Sequence, residues 1–109
     1  MDAQLKKGLL DVCVLSAIET EESYGSKIIS TLAPHIEISE STLYPILRRL
    51  EASGAVTTRN VEYNGRLRKY FKITGIGLKR IRDFEDDMKD FLKISAFVLR
   101  NKGGVKNEI

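Results

Sequence analysis

Asn64-Gly65, set between two runs of β-prone residues, constrains this chain more than any other feature. Asn-Gly suits a tight turn whose two central residues both take positive φ, and such a turn fixes how the flanking residues pair. Residues 55–63 and 67–74 alternate with a period of two, so a hairpin closed by a two-residue turn is predicted. Tyr63 then faces Arg66, Val61 faces Arg68 and Arg59 faces Tyr70. Thr58 with Phe71 and Val56 with Ile73 share the opposite face, which packs inward. Arg66, Arg68 and Lys69 gather near the tip.

The rest of the chain has helical periodicity. Residues 4–19 are apolar on nearly every side, through Leu5, Leu9, Leu10, Val12, Cys13, Val14, Leu15, Ala17 and Ile18. Such a helix needs two partners, one within its own domain and one on a second subunit. Residues 19–23 form a polar loop, and Ser23 is a candidate cap for a second helix over 24–32, which Pro34 ends.

A third helix begins at the candidate cap Ser39 and stops at Gly54. At 3.6 residues per turn, Leu43, Ile46, Leu47 and Leu50 fall on one side. Ser41, Thr42, Tyr44, Pro45, Arg48 and Arg49 fall on the other. That polar side offers hydrogen-bond donors suited to phosphates and base edges, on a rod narrow enough for a DNA major groove. The plainer alternative is a solvated face with two snorkelling arginines. Pro45 conflicts locally with the helix, because it removes a backbone donor.

Charge is distributed unevenly enough to favour the first reading. The net charge is only +3, but residues 39–82 carry ten Lys/Arg against three Glu, a local +7. Residues 1–38 are acidic by three charges and residues 83–90 by four. A one-sided basic block running from the third helix through the hairpin is the electrostatic footprint of a nucleic-acid binder. At 109 residues there is room for one modest core. No apolar run reaches membrane-spanning length, no signal-peptide layout opens the chain, and a single cysteine gives no disulfide framework, so a cytoplasmic protein is expected.

From the candidate cap Thr74 a last helix is predicted to reach about residue 100. Ile81, Phe84, Met88, Phe91, Ser95 and Val98 recur at spacings of 3, 4, 3, 4 and 3, a heptad seam that Leu92 widens. A stripe this long exceeds what one small core needs and predicts a homodimer. Three helices, a hairpin and a long helix follow the order of a winged helix-turn-helix, in which the third helix reads DNA and the hairpin is the wing. The expected fold is therefore mainly α with a β-hairpin: a winged helix-turn-helix over 1–74, a dimerisation helix over 75–101 and a disordered tail over 102–109.

The chain resembles the PadR-like transcriptional regulators. The matching residues are Tyr24-Gly25, Ser41-Thr42-Leu43-Tyr44-Pro45 through Arg49-Leu50-Glu51, Gly54, the segment from Asn64 to Thr74, and Gly77. The resemblance covers nearly the whole chain and is to the short members, without an added C-terminal domain. It implies a cytoplasmic homodimeric DNA-binding regulator, usually a repressor, and a two-fold dimer is expected to bind a roughly palindromic operator. By that match Ser41, Thr42, Tyr44, Pro45, Arg48 and Arg49 face DNA, together with Gly65, Arg66, Arg68 and Lys69 of the wing. The last helix makes the dimer with help from the first, through Leu5 and Leu9. Members often have glycine or alanine where Ser41 stands, and proline or arginine where Leu67 stands, so operator sequence does not carry over.

Phe84, Met88 and Phe91 are candidate contacts for a small aromatic or cationic effector, since similar regulators bind such compounds between subunits. Filling of the dimer seam is the simpler role for them. Cys13 is expected to be an inert thiol in an apolar helix, and with His35 as the only histidine no metal cluster forms. Gly75-Ile76-Gly77 only superficially opens a dinucleotide fingerprint, because Arg80 stands where a glycine is needed. With no nucleophile–base pair, carboxylate pair or phosphate loop, neither an enzyme nor a cofactor is expected. The alternative from another class is a winged-helix protein-interaction module that does not bind DNA; a small-molecule-binding dimer is a third.

Overall fold

The computed structural model describes residues 1–101. Asp2 caps the first helix, α1 (Ala3–Ala17), by accepting from the Gln4 and Leu5 amides at 3.1 and 3.2 Å. Val14 and Leu15 of α1, with Ile18 just beyond it, are buried in the core, and α1 packs against each of the other helices. The chain then forms a two-residue strand, β1 (Ser23–Tyr24), before entering α2 (Gly25–Leu32). The polar loop expected up to Ser23 therefore ends in sheet. Ser23 pairs with Phe71 instead of capping α2, and Tyr24 occupies the cap position without a side-chain bond. Two residues carry no readable period, and this strand exists because the hairpin leaves one edge open to it.

The third helix is α3 (Glu40–Ala52), and its hydroxyl cap forms as expected: the Ser39 Oγ accepts from the Thr42 amide at 3.3 Å. Leu43, Ile46, Leu47 and Leu50 are all buried. Pro45 lies in the second turn, and the helix continues through it. A proline there costs about 3 kcal/mol. Burying the four apolar side chains contributes roughly 1.5–3 kcal/mol each, which is more than enough to offset it. The end of α3 is a Schellman motif: Gly54, at φ +81°, donates to the Glu51 carbonyl at 3.0 Å, and Ala55 donates to that of Leu50 at 2.8 Å.

The hairpin comprises β2 (Val56–Tyr63) and β3 (Arg66–Ile73), paired antiparallel in the register expected from the two-residue turn. Asn64 and Gly65 have φ of 52° and 77°, as a type I′ turn requires. With β1 added, the sheet order is β1-β3-β2. Val56 and Phe71 are buried on the inner face and join the helical core.

Thr74 begins α4 (Gly75–Leu99) by accepting from the Gly77 amide at 3.2 Å, while its own hydroxyl donates to the Gly54 carbonyl at 2.6 Å. The first turn of α4 is thus tied to the end of α3. Gly77 permits this closeness, since a Cβ there would run into the Ala55 carbonyl oxygen and the Ile73 side chain. Gly77→Ala is expected to destabilise the fold by roughly 1–2 kcal/mol despite alanine's better helix propensity, because a backbone carbonyl cannot yield as a side chain can. Urea unfolding checks this through a lowered midpoint.

Beyond its first turns α4 leaves the body, and the described molecule is 66 Å long but only 25 and 23 Å across. Phe84, Met88 and Ser95 are half-buried, whereas Phe91, Leu92 and Val98 are exposed, together with Ile94, Phe97 and Leu99. Ile81 corrects the expected seam. Only 4% exposed, it belongs to the chain's own core and has no surface for a partner. Period alone gives the direction of a stripe but not which neighbour covers each turn. No helix among the described residues is long and apolar enough to cross a membrane. The tail expected to be disordered, 102–109, lies outside the described residues.

Candidate nucleic-acid interface

The exposed side of α3 presents Ser41, Thr42, Tyr44 and Arg48. Ser41 is linked back to the cap, its hydroxyl lying 2.9 Å from that of Ser39. Tyr44 both packs against α2 and remains open to solvent. Its ring packs where a side chain on Gly25 would otherwise be, so only glycine fits at the start of α2. The residue nevertheless remains 36% exposed. Arg48 is exposed and has no ion-pair partner among the described residues.

Pro45 and Arg49 differ from the expected arrangement. Pro45 is half-buried and lines a shallow groove of about 370 Å³ with Ala3, Lys6 and Leu10 of α1. Arg49 is exposed, with 42% of its side chain accessible, but its Nη2 donates to Asp11 Oδ1 at 2.7 Å. The second carboxylate oxygen of Asp11 accepts from Arg80 Nη2 at 3.3 Å. Arg48 and Arg49 point about 100° apart around the helix, so both are exposed but only Arg49 reaches α1. Asp11 and Arg80 escaped the sequence reading. The usable signal was a lone carboxylate inside an apolar helix, because a buried charge requires a partner.

Across a cleft of about 740 Å³ from the start of α3 stands the wing, and Tyr24, Gly25, Tyr44, Tyr63, Arg66 and Lys69 are among the residues lining it. Gly65 supplies the positive φ of the tip, and Leu67 beside it is 74% exposed. Arg66 is exposed. Lys69 reaches back to Glu51 of α3 at 3.7 Å, an exposed pair of little energetic weight that leaves the ammonium available. Glu51 also accepts from the Thr58 hydroxyl at 3.0 Å.

Arg68 is held differently. Its guanidinium lies 4.0 Å from the centre of the Tyr24 ring and 4.2 Å from that of Tyr63. The Tyr70 phenol, as a hydrogen-bond partner, pushes its pKa further above the ordinary arginine range. Tyr24 and Tyr70 meet edge to face at 5.4 Å. Arg59 lies over Tyr70 and pairs with Glu22, whose carboxyl is drawn below its usual range by that hydrogen bond. This stack of rings and cations stiffens the sheet, so Arg68 braces the wing while still lining the cleft. On α1, burial raises the Cys13 thiol pKa, which suits an unreactive cysteine.

A helix-turn-helix with a basic wing across a cleft from its third helix defines a winged-helix regulator. The sequence matches the model of the Transcriptional regulator PadR-like family over residues 14–83, and the chain belongs to that family. Solved structures agree. A PadR family transcriptional regulator from Eggerthella lenta shares 31% identity at a TM-score of 0.81, with 91% of this chain and 88% of that one covered. A PadR-like transcription factor from Bacteroides fragilis shares 32% identity at a TM-score of 0.79, covering 88% and 95%. A PadR-like transcriptional regulator from Bacillus cereus shares 28% at 0.78, covering 92% of this chain and 100% of that one. No curated protein matches the sequence significantly. The family is one of transcriptional regulators and not of enzymes.

Proposed function

We propose that this chain is a cytoplasmic, homodimeric repressor that binds a roughly palindromic operator and responds to a small ligand. The observation that carries the reading is the exposed face of α3, with Ser41, Thr42 and Arg48 unobstructed and a basic wing across the cleft. Residues 1–74 serve as the DNA-binding part and 75–101 as the dimerisation helix. Two recognition helices about 34 Å apart enter successive major grooves, as a two-fold dimer requires. The wings add phosphate contacts through Arg66 and Lys69, which strengthen binding without selecting sequence.

Replacing both wing cations, Arg66→Ala with Lys69→Ala, is expected to weaken binding to operator and unrelated duplex alike. With one phosphate lost per cation, the slope of log affinity against log salt falls by about two per subunit. Fluorescence anisotropy over a salt series measures it, and an unchanged slope would remove the wing from the interface.

Support for dimerisation comes from the exposed apolar half of α4, aided by Leu5, 46% exposed, and Leu9 on α1. Half-buried Phe84 and Met88, with exposed Phe91 beyond them, suit a planar aromatic effector at the dimer seam. Asp83, Asp86, Asp87 and Asp90 add attraction for a cationic one. Such a ligand acts by favouring one of two dimer geometries. Isothermal titration should give saturable heat with planar aromatic cations or phenolic acids, and flat titrations with both would oppose this role.

A further inference from the structure

We propose that Asp11 is a positioning residue for DNA binding, a buried carboxylate that holds the recognition helix α3 in register with the dimerisation helix α4. This rests on the DNA-binding reading of α3 and adds to it the means by which α4 governs that helix. Asp11 is 7% exposed, and each of its carboxylate oxygens accepts from a different arginine. Arg49 comes from α3 and Arg80 from α4, so one side chain of α1 joins three helices.

The apolar contacts around this triad do not need it. Val14 and Leu15 of α1 and Ile46, Leu47 and Leu50 of α3 are buried in one continuous core. The hydrophobic effect behind that packing has no direction of its own. A charge-assisted bond of 2.7 Å does have direction and fixes how α3 is turned about its axis. Arg49 and Arg80 keep 42% and 38% of their side chains exposed, and ion pairs open to solvent add little stability, so geometry is the better explanation of why the carboxylate is there.

Consequences for both ends of the triad follow from the sequence positions. Arg49 adjoins Arg48, whose side chain points to solvent from the same helix. Arg80 lies one turn before Phe84, where α4 begins to leave the body. A shift of α4, imposed by a second copy or by an effector near Phe84 and Met88, therefore reaches Arg48 through Arg80, Asp11 and Arg49.

The sign of one substitution separates this role from general electrostatics. Asp11→Asn removes a negative charge near a DNA-binding face, which by long-range attraction alone would raise affinity for every duplex. Loss of positioning instead lowers operator affinity, by roughly tenfold on the scale of coupled contacts, while affinity for unrelated duplex stays level or rises. Arg49→Ala should produce the same loss with an unchanged salt slope, since on this view it grips no phosphate. Combined with Asp11→Asn it should cost little more than either change alone.

Anisotropy titrations of the full chain and the three variants, on operator and on unrelated duplex across a salt series, measure all of this. Circular dichroism and sedimentation confirm fold and mass. If Asp11→Asn does not fold, Asp11→Leu replaces the carboxylate with an apolar side chain that the core accepts, and the same loss of operator preference is expected. Higher operator affinity in the Asp11 variants, a salt slope lowered by about one per subunit in Arg49→Ala, or additive losses in the double variant would each overturn the role. If the unaltered protein itself fails to prefer operator, the DNA-binding reading falls, and Asp11's role with it.

Discussion

If the chain pairs through α4 as proposed, Met88→Asp is expected to leave a 12.3 kDa monomer that retains its helical content. Met88 lies half-buried on the stripe of α4 that continues through Phe91, Ser95 and Val98 with Leu92 beside it. On a single chain Phe91, Leu92 and Val98 are 55, 58 and 51% exposed, an apolar surface of the kind that marks an interaction site. Two-fold pairing would place each new carboxylate in a desolvated seam without a partner, at a cost of several kcal/mol, and twice per dimer. Asp87 and Asp90, already adjacent, add repulsion. The chain's own core does not pass through Met88, so circular dichroism should barely change. Operator affinity should fall by at least about 100-fold, since each half-site is then bound without the other. Sedimentation equilibrium measures the mass, and a dimer of unchanged strength would refute this seam.

Arg48→Ala carries the second large effect. Of the two adjacent arginines on α3, Arg48 has no ion-pair partner among the described residues, whereas Arg49, though exposed, pairs with Asp11. Removing a bidentate contact to a base edge costs about 1–3 kcal/mol, so operator affinity should fall roughly 5- to 150-fold with folding and dimer mass intact. Anisotropy on operators altered one base pair at a time tells what the arginine does. If it reads a base, discrimination relaxes at a single position; if it grips a phosphate, every sequence weakens equally and the salt slope falls. Unchanged affinity would take α3 out of the groove.

Where one element decides its own geometry, the sequence was enough to read it. The hairpin register follows from Asn64-Gly65 alone, and every pair from Val56 with Ile73 to Tyr63 with Arg66 forms as expected. The same holds for α3, whose Ser39 cap, buried stripe and Gly54 stop are all local signals. Features that depend on a neighbour were harder to see. Ser23 and Tyr24 become a strand only because β3 has a free edge. Ile81 satisfies the heptad pattern, yet the core claims it before a second chain could. Arg49 belongs to a basic helix face by projection, but α1 brings Asp11 against it from 38 residues away. Arg68 looked like a free wing cation, and two tyrosine rings enclose it, one of them on the strand that the periodicity did not reveal.

A salt-titrated mobility shift of the unaltered protein, on its own promoter region and on unrelated duplex of equal length, bears most directly on what α3 and the wing are for. A discrete complex with promoter DNA is expected at low salt, persisting under excess unrelated competitor and weakening by about 10³-fold or more between 50 and 200 mM salt. Absence of any shift at low salt, or binding indifferent to both sequence and salt, would contradict the DNA-binding role and leave the winged fold as a surface for protein partners.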